Sequence, residues 1–337
     1  MNYNFLPARF HAGVCIWGLL SYLIYRGRVS ADRVSGIAAL AVYGAFGLCV
    51  LDVLLFHWQA RRLVPLVPRP HGVAVVTGAS SGIGREIAYL LAEKGFSVVL
   101  VARTQATLER MAKEMREVLG VAVHVCPADL SAPTSVGAIE EFVAKEKLEV
   151  DILVNCAGIG HHGAFHTQTR NAVDEMVHIN VTALVQLTHV FLPGMVARNC
   201  GRILNIASIA GASPMPTSAV YGATKAMVTR FSQSINYEMR HKNVGVTNIN
   251  PGPIPTAFQE KCGMPQAMLF HIPGISNDAK AVAIAGVDAM LAGVETTFDA
   301  FSSEVLYYGA TALVPKRLIA LCGQLLWNPP SAIPSGF

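Results

Sequence analysis

Charge is what this sequence is most short of. Asp, Glu, Lys and Arg make up 14% of its 337 residues, against roughly a quarter in an average soluble protein. With 52% of residues apolar, that scarcity excludes a disordered chain and a surface solvated by charge throughout. Paired cysteines are missing as well. There are seven, an odd number, and none stands at a disulfide-framework or metal-ligand spacing. A disulfide-stapled secreted domain is therefore excluded, no metal site is expected, and the domain belongs on a reducing, cytosolic face. Nor is there a basic stripe of the kind that grips nucleic acid. Residues 71–337 carry 19 basic and 20 acidic side chains. The positive charge sits in residues 1–70, where seven arginines face Asp32 and Asp52. Those arginines flank hydrophobic runs, which points to a membrane.

Two such runs stand near the N-terminus. Phe10–Tyr25 has sixteen residues without a formal charge, about 24 Å as a helix against a bilayer core of roughly 30 Å. It is open to being a second span, half of a hairpin or a signal-peptide core. Val34–Leu51 has eighteen uncharged residues, and the apolar character continues to Trp58, so it is the better spanning candidate. The arginines flanking the two runs are too evenly divided to set an orientation. Residues 1–70 are thus expected to be a membrane anchor ending in a linker, with prolines at 65, 68 and 70.

From residue 71 the pattern changes. Short β-branched runs at 73–76, 97–101, 121–125, 152–154, 202–206 and 244–249 alternate with helical stretches at 83–94, 108–119, 135–147, 172–196 and 221–240. Continuous apolar strands separated by helices predict an α/β fold, a Rossmann-like doubly wound parallel sheet over 71–300. Ligands are then expected at the carboxyl ends of the strands. A terminal strand is weakly marked at 294–298. Residues 301–337 form an apolar tail in which Leu318–Trp327 is too short to span, leaving an interfacial helix or one packed on the domain.

The first strand runs into Thr77-Gly78-Ala79-Ser80-Ser81-Gly82-Ile83-Gly84 and then a helix. Glycines there permit a tight turn and a close approach of backbone N–H groups to a pyrophosphate, with the helix N-terminus supplying the positive end. Gly78, Ser80, Ser81, Gly82, Ile83 and Gly84 are the expected phosphate contacts. An NAD site would carry Asp or Glu after the second strand. This chain has Arg103 and Thr104, with no carboxylate until Glu109. Arg103 suits a 2′-phosphate, so the expected cofactor is NADP(H).

At this point the residues resemble the short-chain dehydrogenase/reductases. TGASSGIG at 77–84 looks like the family's cofactor loop. Val154-Asn155-Cys156-Ala157-Gly158 is similar to its NNAG motif, with Cys156 in place of the second Asn. Ser208 precedes Tyr221-Gly222-Ala223-Thr224-Lys225, which reads as YxxxK, and Asn250-Pro251-Gly252-Pro253-Ile254-Pro255-Thr256 resembles the segment that cups the nicotinamide. The resemblance implies a catalytic set of Asn180, Ser208, Tyr221 and Lys225. It also implies cofactor contacts from Asp129, Asn155, Tyr221, Lys225, Ile254 and Thr256, and a homodimer.

The chemistry follows from the residue types. Hydride transfer to a carbonyl leaves an alkoxide that needs a proton. Tyr221 supplies it if its phenol is brought closer to the working pH, and Lys225, one helical turn along, is placed to do that. Ser208 would hydrogen-bond the substrate oxygen; Asn180, by resemblance, bends its helix and places a water behind Lys225. An anchor and an apolar tail imply a lipophilic substrate: a 3-oxoacyl thioester, a 3-ketosphingoid base or a steroid. The loop lacks the Thr-Asp-Gly-Ile-Gly form associated with fatty-acid elongation reductases. A lipid-metabolism enzyme of the endoplasmic reticulum membrane is expected. The alternative is a catalytically silent, membrane-anchored NADP(H)-binding sensor or scaffold.

Overall fold

The computed structural model describes residues 63–254 and 277–313, with Gly44, Gly47, Phe258, Cys262, Ile319 and Ala320 as isolated positions. Apart from those positions, the runs 10–25, 34–51 and 318–327 lie outside the described residues, as does Thr256.

Seven strands form one sheet in the order β3-β2-β1-β4-β5-β6-β7. They are β1 (Gly72–Thr77), β2 (Ser97–Ala102), β3 (Val123–Pro127), β4 (Glu149–Asn155), β5 (Gly201–Ile206), β6 (Val244–Ile249) and β7 (Thr296–Thr297). Every pairing is parallel. The seventh strand is only two residues long, which explains its faint trace in the sequence. Between the strands lie α1 (Gly82–Glu93), α2 (Gln105–Leu119), α3 (Ser135–Lys145), α4 (Arg170–Val177), α5 (Leu184–Arg198), α6 (Ala219–Glu238) and α7 (Ala279–Ala292). After β7 comes α8 (Phe301–Leu313).

Strand alternation sorts the core into two layers. Ala74, Val76, Leu100, Ile152 and Leu204 meet Ile87 and Leu91 of α1, Leu108 and Met115 of α2, and Val287 and Met290 of α7. Val73, Val75, Val99, Leu153 and Ile203 turn the other way, onto Ile139 of α3 and Leu187, Phe191 and Met195 of α5. The stretch Arg170–Arg198 is long and apolar enough to cross a membrane by length and composition. Leu187, Phe191 and Met195 pack against the sheet, so its apolar character serves the core. The expected single helix over 172–196 is interrupted: a π turn at His178–Ala183 joins α4 to α5.

Residues 63–70, read from their prolines as part of a linker, are strapped along the amino ends of the strands. Val64 N–H donates to Asn243 Oδ1 over 2.8 Å, and its carbonyl accepts from Arg202 Nη2 over 2.8 Å. Arg202, second in β5, has no exposed surface, and burial lowers its pKa to about 10. Arg69 binds Asp151 with both Nε and Nη2, at 2.6 and 2.5 Å, and Glu149 at 2.6 Å. Asp151 is buried, and its other cationic neighbour, Arg198, is 3.5 Å away. Arg69→Leu is therefore expected to cost about 3 kcal/mol, by leaving a buried carboxylate half-paired. Thermal melting in detergent checks it, and a loss below about 1 kcal/mol would contradict this account.

Candidate active site

A cavity of about 320 Å³ opens at the carboxyl ends of β1, β2, β4 and β5. Its floor is the β1–α1 loop. Gly78 has φ +67° and Gly82 φ +56°, so both turn in a region that favours glycine. A Cβ on Gly78 would stand 3.0 Å from the Ala157 backbone, and one on Gly84 would run into the Gly78 carbonyl. The Ser81 side chain makes no capping hydrogen bond to α1. Ser81 thus leaves the first-turn N–H groups of α1 uncapped at the cavity wall, and Gly78 and Gly84 let the loop pack closely on its neighbours. Thr77 pins this loop to its neighbour. Its hydroxyl donates to Val154 O and accepts from the N–H groups of Cys156 and Ala157, at 3.0–3.1 Å.

Gly78, Ser80, Ser81, Gly82, Ile83 and Gly84 all line the cavity, as do Arg103, Asp129 and Ile254. Arg103 and Asp129 belong to one end of it. The Asp129 carboxyl is held below its usual range by hydrogen bonds from Ser131, with the Arg103 charge adding to the effect. Arg103 is exposed, which leaves its guanidinium available to a 2′-phosphate.

Ser208, Tyr221 and Lys225 line the opposite part. Ser208 follows β5 and accepts the Ala210 N–H over 3.1 Å, which fixes its rotamer at the start of a short 3₁₀ turn. Tyr221 and Lys225 lie one turn apart on α6. Lys225 is 6% exposed, and its Nζ donates to Ile206 O over 2.8 Å, lying 5.7 Å from the Tyr221 ring centroid. The phenol of Tyr221 is raised, against the expected depression by this cation. Burial pushes the phenol up, the Cys262 thiol adds to that, and only the Ser208 hydrogen bond opposes it. Burial also lowers Lys225, to about 8. Desolvation is the largest cause for each group.

Two expected residues stand behind the cavity instead of on it. Asn180 sits in the π turn, where its amide closes a pair of bonds with Ile159, Oδ1 to N–H at 2.9 Å and Nδ2 to O at 2.8 Å. A Cβ on Gly158 would be 3.3 Å from Asn180 Oδ1 and 3.5 Å from Lys225 Nζ, so the two polar groups flank that glycine. Such π turns collect at functional sites because they re-aim one side chain. Asn155 turns away from the cavity: its Nδ2 donates to Asn205 Oδ1 at 2.9 Å and Thr188 Oγ1 at 3.3 Å. As the last residue of β4 it points into the sheet layer below, so any effect on a cofactor is indirect.

The comparisons with known proteins bear on this arrangement. Residues 72–266 match the family model described as short chain dehydrogenase. The chain belongs to that family. It is 42% identical over 184 residues to a protein of Laccaria bicolor named very-long-chain 3-oxoacyl-CoA reductase, covering 52% of this chain and 53% of the relative. A protein of the same name from Anas platyrhynchos is 34% identical over 234 residues, covering 67% and 72%. The chain thus spans about half the length of its fungal relative. Among solved structures, a short-chain dehydrogenase from Sphingobium yanoikuyae in complex with NADPH is 30% identical. It covers 75% of this chain and 93% of its own, with a TM-score of 0.63.

Within this family member, several site residues were invisible in the sequence. Asp299, just after β7, accepts the Gly252 N–H over 2.9 Å and is itself held by Asn277 at 3.1 Å. It therefore braces the Pro-Gly segment from 47 positions away. Phe258 lines the cavity too. Neither belongs to a motif that spacing could reveal. Thr77 was readable as the first residue of the cofactor loop, but its pinning of that loop to Val154, Cys156 and Ala157 was not.

Proposed function

We propose that this chain is an NADP(H)-dependent reductase of a ketone on a lipophilic substrate, with a 3-oxoacyl thioester the first candidate. The observation that carries the reading is the meeting of Ser208, Tyr221 and Lys225 at one end of a cavity whose other end is a glycine cradle and Arg103. The NADPH complex of the Sphingobium protein and the names of the fungal and avian relatives support the cofactor and the substrate class. They outweigh the missing Thr-Asp-Gly-Ile-Gly form of the loop.

When bound, NADPH supplies the hydride for the carbonyl carbon. Ser208 donates a hydrogen bond to the substrate oxygen and orients it toward Tyr221. Tyr221 then gives its phenolic proton to that oxygen. Its raised pKa keeps the proton in place across the neutral range, which suits reduction; oxidation would need the phenolate. Lys225, held by Ile206 O, reprotonates Tyr221 in a chain that Asn180 supports from behind.

In this reading the 34–51 run, alone or with the 10–25 run, anchors the protein in the endoplasmic reticulum membrane, with the domain on the cytosolic face and two copies pairing. Purified in detergent, the protein should consume NADPH when offered a long-chain 3-oxoacyl thioester. No turnover with NADPH bound would discard that substrate, and no turnover of sphingoid or steroid ketones either would leave the silent binder.

Arg103 sets cofactor choice in this reading. Arg103→Asp should lower the NADPH-over-NADH ratio of kcat/KM at least tenfold, because a carboxylate repels the 2′-phosphate and accepts from the ribose hydroxyl instead. Steady-state kinetics with both cofactors decide it, and an unchanged ratio removes Arg103 from the site.

A further inference from the structure

Beyond β7 a side chain takes over a ladder that the main chain leaves off. Asn248 N–H donates to Glu295 O over 2.8 Å, and Asn250 N–H to Thr297 O over 3.0 Å, the alternate bonds of a parallel pair. The next donor along this strand is Gly252, the only residue of 251–253 with an N–H, because both its neighbours are proline. Its partner is not the Asp299 carbonyl. Gly252 N–H donates to Asp299 Oδ1 over 2.9 Å, while the main-chain oxygen of Asp299 accepts from Asn277 Nδ2 over 3.0 Å. The same Nδ2 lies 3.1 Å from Asp299 Oδ2. Both carboxylate oxygens are engaged, so the side chain is held from two sides.

The bond to Gly252 leads on to the catalytic serine. The peptide that carries the Gly252 N–H carries the Pro251 carbonyl on its other side, and Pro251 O accepts from Ile209 N–H over 3.1 Å. The Ile209 peptide in turn carries the Ser208 carbonyl, which accepts from Gly211 N–H over 3.0 Å. Two planar peptides thus join the Asp299 carboxylate to the turn on which Ser208 stands. The Ser208 hydroxyl takes its bond from Ala210 N–H inside that turn, so its aim follows the turn. Phe298 and Tyr307 pack on Ile209 and Ala212. That apolar contact fills space and has no direction of its own, whereas the hydrogen-bonded peptides have one. Ser208, Pro251 and Gly252 line the cavity, and Asp299 is not among its lining residues.

We propose that Asp299 is a positioning residue for Ser208: through Gly252 and Pro251 its carboxylate sets the turn that aims the Ser208 hydroxyl at the substrate oxygen. The inference rests on Ser208 as the group that holds that oxygen. Without the carboxylate, the Gly252 N–H loses a charge-assisted bond, and the Pro-Gly segment is free to settle elsewhere, taking the Ile209 bond with it. A misplacement of about 1 Å costs on the order of a hundredfold in rate, so a smaller shift of the hydroxyl should cost about tenfold.

The test is a double-variant cycle on the full chain in detergent. Wild type, Asp299→Ala, Ser208→Ala and the pair are compared by kcat for ketone reduction at saturating NADPH. Ser208→Ala should lower kcat about a hundredfold, as removal of one donor to a developing oxyanion does. Asp299→Ala should lower it about tenfold in the wild type, but by less than about threefold once Ser208 is gone, because its effect passes through that hydroxyl. A general loss of structure would carry over undiminished. Asp299→Asn keeps an acceptor for the Gly252 N–H and should stay within about threefold of wild type.

Equal losses from Asp299→Ala with and without Ser208 overturn the proposal, as does an Asp299→Ala enzyme as fast as wild type. Asp299→Asn as slow as Asp299→Ala overturns it too, since charge and not position would then matter. If Asp299→Ala does not fold, Asn277→Ala takes its place in the cycle. It frees Oδ2 alone, and should lower kcat about fivefold only while Ser208 is present. Ser208→Ala as active as wild type, or a wild type that reduces no ketone, shows that the reading of the site is wrong and removes this proposal with it.

Discussion

Tyr221→Phe should reduce NADPH-dependent turnover by about a thousandfold, within the 10²–10⁴ that a positioned proton donor contributes, while NADPH still binds. The change removes one oxygen and keeps the ring. The packing against Phe258 at 5.8 Å is retained, and the glycine cradle is untouched. What disappears is the proton needed at the alkoxide, together with the hydrogen bond that Ser208 shares with the phenol. Water is a poor substitute in a site this desolvated. The measurement is NADPH oxidation beside cofactor binding by fluorescence. Turnover within tenfold of wild type would mean that another group delivers the proton, and loss of binding as well would mean that the variant is misfolded.

Lys225→Met should abolish activity yet make the cofactor-free protein more stable. Burial lowers the Lys225 ammonium from 10.5 to about 8, so the folded state resists a charge that the unfolded chain carries freely. The unfolded state therefore binds more protons between pH 8 and 10.5, and wild-type stability rises with pH across that window. Below about pH 8 the full penalty applies. A shift of this size is worth at most about 3 kcal/mol, less the hydrogen bond to Ile206 O, itself about 1 kcal/mol. The variant should melt higher than wild type at pH 7, and the gap should close as pH approaches 10.5. A variant that is less stable at pH 7 would mean that the ammonium is well solvated in the fold. The same titration predicts that wild-type kcat/KM is flat below pH 8 and falls above it, as the cation is lost from the free protein.

Activity and stability thus oppose each other at one side chain. On this account a methionine would fill the position at lower cost than the lysine does. Such a residue is kept for what it does once a cofactor and substrate are present.

Much of the site could be read from local pattern. A parallel strand buried on both faces must be a continuous β-branched run, so β1, β2, β5 and β6 were visible at nearly their true bounds. The glycine loop at 77–84 and the Tyr221–Lys225 pair each span eight residues or fewer, and short segments carry their own geometry: a turn needing positive φ asks for Gly78 and Gly82, and a helical turn brings residues four apart together. The order of motifs along the chain then implied the order of parts around the cavity.

Folding alone settled the rest. No periodicity says that Asn155 turns into the sheet while Arg103 stays at the cavity, because a strand's two faces are equivalent until helices cover them. The fate of 63–70 depends on Arg202 and Asp151, which are distant in sequence, and prolines mark a break in secondary structure whether or not the segment is docked. Burial raises the Tyr221 phenol despite a cation four residues away, since desolvation is summed over everything that packs around a group. Phe258 and Asp299 reach the site from separate stretches of chain. Local sequence fixes the conformation of a short segment, but which distant segment covers it is decided by the packing of the whole domain.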